Sequence, residues 1–155
     1  MNIYDIFQKL NIEYAELEHK AVYTVEEAKN EAISKKLNGI ECKNLFVKSK
    51  SKYYLIVIKA FQKANLKEIS MTVKDSKLTF ATEQELKEIL NLTPGSVTPL
   101  GIINDSKNLV TICLDHQLIK GTILIHPNIN TKTVAVKTED LIRLLEYENH
   151  SYIVF

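Results

Sequence analysis

Glycine and proline are scarce in this chain, four and three residues out of 155, and the scarcity makes their placement informative. Two of each fall between Pro94 and Gly101, inside LTPGSVTPLGIIND. Glycine permits unusual φ values and proline fixes φ, so one or two such residues suffice for a surface turn. Four within eight residues read as a loop of fixed shape that presents its backbone to something. Cysteine is limited to Cys42 and Cys113, without CxxC spacing. Histidine is limited to His19, His116, His126 and His150, with no HxH or HExxH pair, so the sequence holds no metal-site pattern. GxGxxG and P-loop patterns are missing too, which leaves a doubly wound nucleotide-binding fold without motif support. No apolar run approaches the roughly 18–20 residues of a membrane span. The opening MNIYDIFQKL mixes acid and base among apolar positions and reads as a helix, not as a secretory core. A soluble cytoplasmic protein with free thiols is the expectation.

What is present is lysine. The chain has 20 basic residues, all lysine but Arg143, and a net charge of +1. From Lys43 to Lys77 there are nine lysines against Glu68 and Asp75, a local excess of seven positive charges. Clustered lysine fits a phosphate-binding surface, and also an ordinary solvated face.

Hydrophobic residues at 45% and charged residues at 25% describe a globular chain of one domain, residues 1–155. Ile3, Ile6, Phe7 and Leu10 have helical spacing. TVEEAKNEAISKKL predicts a second helix, capped by Thr24 with Glu27 and striped by Val25, Ala28 and Ala32. Asn38-Gly39 is expected to end it in the left-handed conformation. KNLFVKS and KYYLIVIK predict a hairpin over the turn SKSK. A short helix follows over 64–73, then a strand at LTFA and a helix capped by Thr82 with Glu85. LGII, NLVTICLD, TILIH and TVAV read as strands, TEDLIRLLEYE as a helix with Leu141, Leu144 and Leu145 on one face, and YIVF as a last strand. Short strands joined mostly by hairpins imply an α/β chain of α+β type, with a mixed, largely antiparallel sheet flanked by helices.

Taken singly, the reactive side chains have ordinary explanations. Cys42 opens an apolar strand without an orienting partner, Cys113 sits in the apolar VTICL, and a buried thiol usually acts as a small hydrophobe. His126 closes a strand, His19 lies between charges, and Lys43 alone is a surface lysine. In order along one chain, however, EHKAVYTVEEA, CKNLFV, LTPGSVTPLGIIND and ILIHPNINTKT resemble the stand-alone prolyl-tRNA editing domains, relatives of the editing insertion of bacterial prolyl-tRNA synthetases. The PGSVTPLG loop resembles the branch that acts on Ala-tRNA(Pro). His19 is followed by Lys20 where many relatives have proline, and the basic segment uses lysine where others mix in arginine.

The resemblance implies a hydrolase of aminoacyl-tRNA esters. A pocket built for proline cannot firmly exclude alanine, since each missing methylene is worth only about 1–3 kcal/mol, so a second site removes the error. By resemblance, Lys43 engages a phosphate of the terminal adenosine. Backbone groups of Gly95, Ser96 and Val97 cradle the ester carbonyl and orient water, with help from the terminal ribose hydroxyl. Ser96 is not a nucleophile, because GSVTP lacks the GxSxG elbow. His126 lines the amino-acid pocket, Thr98, Pro99 and His19 belong to the substrate site, and Asn104 and Asp105 brace the loop or touch substrate. Lys48, Lys50, Lys52 and Lys63 are candidate tRNA contacts. The implied partner is the acceptor end of mischarged tRNA(Pro), with prolyl-tRNA synthetase as an open second partner, no metal or other cofactor, and a monomeric state. Two rivals stay open: a deacylase of the same family for Cys-tRNA(Pro) or Ser- and Thr-charged tRNA, and a sensor that binds aminoacyl-tRNA or an amino acid without hydrolysis. A thiol hydrolase built on Cys42 is a third.

Overall fold

The computed structural model describes residues 1–30 and 32–155, and the side chains of all these except Val25, Ala28, Asn30 and Ser34. Eight strands form one sheet: β1 Ala15–Glu18, β2 Ile40–Lys48, β3 Tyr53–Lys59, β4 Thr79–Phe80, β5 Val110–Leu114, β6 Thr122–Ile125, β7 Lys132–Lys137 and β8 Tyr152–Val154. Their order is β1-β7-β6-β2-β3-β5-β8, with β4 added beside β2. The helices are α1 Ile3–Lys9, α2 Val25–Asn30, α3 Ile33–Lys36, α4 Leu66–Thr72, α5 Glu83–Leu90 and α6 Thr138–Tyr147. Among the described residues no helix is long and apolar enough to cross a membrane.

The sheet is mixed, but antiparallel pairs outnumber parallel ones only by four to three. Only β2–β3 and β6–β7 are chain-adjacent antiparallel partners. Longer connections containing helices or 3-10 turns let β3, β5 and β8 run parallel, as crossover connections do. Alternation along β2 and β3 sorts the core by face. Phe46, Leu55 and Val57 pack with α1, α5 and α6 through Phe7, Leu90 and Leu144. Val47, Ile56 and Ile58 pack with α4 through Ile69.

The predicted second helix is broken. Thr24 Oγ1 accepts the Glu27 N–H at 3.0 Å, as a cap should, but Ala32 at φ 52° separates α2 from α3. The side chains of Val25 and Ala28, part of the expected stripe, lie outside what is described. The helical run ends at Leu37 in extended conformation, and neither Asn38 nor Gly39 is left-handed. LGII is a further correction: residues Pro99–Asn104 form a 3-10 turn, because Pro99 starts it and Thr98 Oγ1 caps it by accepting the Leu100 N–H. Its consecutive burial, from Pro99 through Ile102, produces an apolar run that periodicity cannot tell from a strand.

Candidate functional site

Strands β2 and β6 run parallel and pair only at Ile40↔Ile123 and Glu41↔Leu124. Beyond those residues β2 continues with β3, while β6 turns into the hairpin with β7. A pocket opens where they part, at the carboxyl ends of a parallel pair, the usual place for ligands in such sheets. Cys42, Lys43 and Asn44 line it from β2, and Leu124, Ile125 and His126 from β6 and its end. Pro94, Gly95 and Val97 enter from the loop, Ile33 from α3, and Val22 and Tyr23 from the segment after β1. The cavity measures about 170 Å³. Drug-sized ligands occupy roughly 300–1,000 Å³, so this pocket suits a small group.

The loop wall is a 3-10 turn over Pro94–Ser96. Ser96 donates its N–H to Thr93 O at 2.9 Å, and its hydroxyl bonds back to Thr93 as well. Ser96 is buried and shapes the turn; it does not line the cavity. The N–H groups of Gly95 and Val97, in contrast, have no acceptor among the described residues. Asn44 Nδ2 donates to Val97 O at 3.2 Å and ties the loop to β2. The Asn44 Oδ1 is buried without a partner among the described residues.

His126 Nδ1 lies 2.8 Å from Lys132 O. A carbonyl only accepts, so Nδ1 carries the proton and, in the neutral ring, Nε2 keeps its lone pair. Burial pushes this imidazole below its ordinary value; the Lys132 carbonyl opposes that shift and nearby His19 adds to it. His126 is thus an uncharged wall with one acceptor. Lys43 is half-buried and has no ion-pair or hydrogen-bond partner among the described residues. Burial pushes the Cys42 thiol up to about 12, and its Sγ–H faces Ile40 O at 3.4 Å. A thiolate nucleophile does not fit that environment.

The other expected site residues stand back from the pocket. His19 Nε2 is 2.8 Å from the hydroxyl of Thr133, itself a lining residue, and the His19 and His126 ring centres are 6.2 Å apart. Thr98 and Pro99 are buried in the second turn. Asn104 Nδ2 donates to Leu90 O at 2.9 Å. Asp105 accepts the Leu109 and Val110 N–H groups and lies 2.9 Å from His150 Nε2. Both side chains are thus engaged within the protein, and neither residue lines the pocket.

Among the lysines, Lys48 pairs with Glu85 at 2.8 Å, and Lys50 and Lys52 are exposed around the hairpin tip. Lys48 is five residue steps along β2 from Lys43, roughly 17 Å at about 3.3 Å each. Lys63 is exposed in the connection after β3, at the pocket end of the sheet. Asn44 and Tyr23 escaped the reading of the sequence. Asn44 did carry a signal, since it is the polar member of the inward series Cys42, Asn44, Phe46.

A one-sheet α+β fold, with a small cleft that opens on loop amides, a lysine and an uncharged histidine, defines a class suited to binding and cleaving a small acyl group. Residues 19–144 match the aminoacyl-tRNA editing domain, and the chain belongs to that family, whose members are hydrolases of mischarged aminoacyl-tRNA. It is 34% identical over 147 residues to the prolyl-tRNA editing protein ProX of Acetoanaerobium sticklandii, covering 93% of this chain and 88% of that one. It is also 34% identical over 154 residues to the prolyl-tRNA synthetase associated domain-containing protein 1 of Danio rerio, covering 97% and 83%. The fold superimposes with a TM-score of 0.71 on the crystal structure of a candidate trans-editing enzyme for prolyl tRNA synthetase, at 16% identity over 98% of this chain and 92% of that one.

Proposed function

We propose that this protein is a trans-editing deacylase that hydrolyses the ester of Ala-tRNA(Pro). One arrangement supports the reading above others: Gly95 and Val97, whose N–H groups have no acceptor among the described residues, line a cavity of about 170 Å³ together with Lys43 and His126. The alanyl side chain enters between Leu124, Ile33 and His126, and the carbonyl oxygen turns toward the loop amides. Water adds to the carbonyl carbon and the oxyanion forms against those preorganised donors. The carbon–oxygen bond to the ribose then breaks as a proton from the water passes to the leaving ribose oxygen, giving free alanine and a ribose hydroxyl. Each such donor is worth about 3–4 kcal/mol of barrier. The neighbouring ribose hydroxyl assists the water, and Lys43 holds the terminal phosphate. The acceptor strand follows the lysine-rich segment, and prolyl-tRNA synthetase is the partner that delivers it to a cytoplasmic monomer.

Deacylation of Ala-, Cys- and Pro-tRNA(Pro), by the wild type and Lys43→Ala, tests the proposal. The alanyl ester alone is expected to be lost quickly, and the substitution to slow it by about 100-fold, the usual consequence of a misplaced substrate. Release of cysteine in its place keeps the editing activity and removes the alanine preference. If tRNA binds and no ester is cleaved, the protein is a sensor.

A further inference from the structure

Tyr23 is the feature of the pocket that hydrolysis as described does not use. It lines the cavity, yet its residue is 66% exposed, so its ring contributes little to the core. Its main chain, though not its ring, is anchored. Val22 N donates to Asn130 O at 3.4 Å, Asn130 Nδ2 donates to Val22 O at 3.5 Å, and Tyr23 N donates to a Glu27 carboxylate oxygen at 3.0 Å. The ring lies so close over Gly95 that a methyl group there would stand 2.5 Å from Tyr23 Cδ1. One side of the ring is therefore against the loop that carries the free amides, and much of the rest faces solvent at the mouth.

We infer that Tyr23 is the platform on which the terminal adenine base of the tRNA stacks. The inference rests on the editing reading and adds a binding residue to it. If the ester carbonyl sits at the Gly95 and Val97 amides, the base attached to the same ribose lies within one sugar's span of that point, where Tyr23 is. An aromatic face takes any base by stacking, the common device for unpaired nucleotides. The local charge favours the base over the phosphate: Glu27 stands next to Tyr23, while the partnerless Lys43 supplies the cation elsewhere in the pocket. Phe61 is equally bare, at 71% exposure, but it lies in a neighbouring groove with Lys59, Gln62 and Gln117, on the far side of Glu41 and Ala60 from the pocket. It gives an internal comparison.

The test is a two-by-two comparison of KM and kcat. Wild type and Tyr23→Ala are each assayed on an acceptor-stem RNA charged with alanine or cysteine, whichever ester is cleaved. The RNA ends either in adenosine or in an abasic ribose. Removing the ring or removing the base is expected to raise KM by roughly ten-fold with little change in kcat, and removing both should raise it no further. Tyr23→Phe should restore the wild-type KM, and Phe61→Ala should leave it unchanged. Multiplying effects, an unchanged KM in Tyr23→Ala, a failure of Tyr23→Phe to rescue, or an equal effect of Phe61→Ala would each overturn the inference. Failure of the wild type to cleave any ester sinks the editing reading instead. Fluorescence of a terminal 2-aminopurine in the uncharged RNA then decides stacking separately: a change on binding that Tyr23→Ala abolishes supports it, and its absence refutes it.

Discussion

The two consecutive 3-10 turns of the proline- and glycine-rich segment have similar composition and opposite surroundings. The first, Pro94–Ser96, stands at the pocket and leaves the amides of Gly95 and Val97 without acceptors among the described residues. The second, Pro99–Asn104, is buried from Pro99 to Ile102 and tied down at each end: Thr98 caps it, Asn104 bonds to α5 through Leu90 O, and Asp105 meets His150. A preorganised donor must stay unsatisfied without collapsing onto a neighbour, and that requires a rigid support. On the proposed reading of the loop, the second turn is that support. The difference predicts that substitutions in the second turn act on stability, and those in the first on catalysis.

The largest effect is expected from the anchor. Asp105→Ala leaves His150 and the Leu109 and Val110 N–H groups without their acceptor in a buried place, a loss of about 3–5 kcal/mol. Denaturant unfolding reads it directly, while kcat measured below the melting transition should stay close to wild type. Burial alone would raise the Asp105 carboxyl; the His150 contact and the two backbone N–H groups outweigh it and hold it below the ordinary value. A depressed carboxyl contributes stability above its unfolded value, about 3.9, and loses it as pH falls through the folded value. Wild type should therefore lose more stability than Asp105→Ala on acidification below about pH 4. Equal acid sensitivity would mean that the pair is not the anchor.

Next in size is Gly95→Ala. The added methyl would lie 2.5 Å from Tyr23 Cδ1 and 2.7 Å from Asn130 Nδ2. Gly95 is buried, but the Tyr23 ring it would press on is exposed and can swing aside, so the stability change should stay at the low end of overpacking, about 1 kcal/mol. The loop shift should lower kcat/KM by about 100-fold. Activity within a few-fold of wild type would show that the first turn does not take part in the reaction.

This contrast was only half legible in the sequence. The crowding of proline and glycine marked the segment, and the order of short motifs pointed to the lysine, the loop and the histidine that line the pocket. The capping pair Thr82 and Glu85 and the hairpin of β2 with β3 also stand as read. What glycine is for in this chain was not legible. No glycine has positive φ, and five of the seven described residues that do are asparagine: Asn11, Asn91, Asn108, Asn128 and Asn149. Asparagine tolerates the left-handed region through its short polar side chain, so it supplies the turns and helix ends. Glycine stands where a neighbour leaves no room: a Cβ at any of the four would come within 2.5–2.7 Å of another side chain. Such crowding comes from tertiary packing, which local propensity does not report. For the same reason the contacts of Asn104 with Leu90 O and of Asp105 with His150 were not legible in the sequence.

Gly101→Ala carries the comparison to its smallest expected effect. Its methyl would lie 2.6 Å from Cδ1 of Leu92, which is 1% exposed and has nowhere to go. Overpacking of this kind costs about 1–2 kcal/mol. Gly95 and Gly101 are thus equally crowded, but one presses on an exposed ring beside the pocket and the other on the core. Gly101→Ala should lower the melting temperature and leave kcat/KM on the charged tRNA unchanged below the transition. A drop in kcat/KM well beyond the fraction unfolded would show that the second turn transmits its position to the first, and the support would then be part of the reaction geometry.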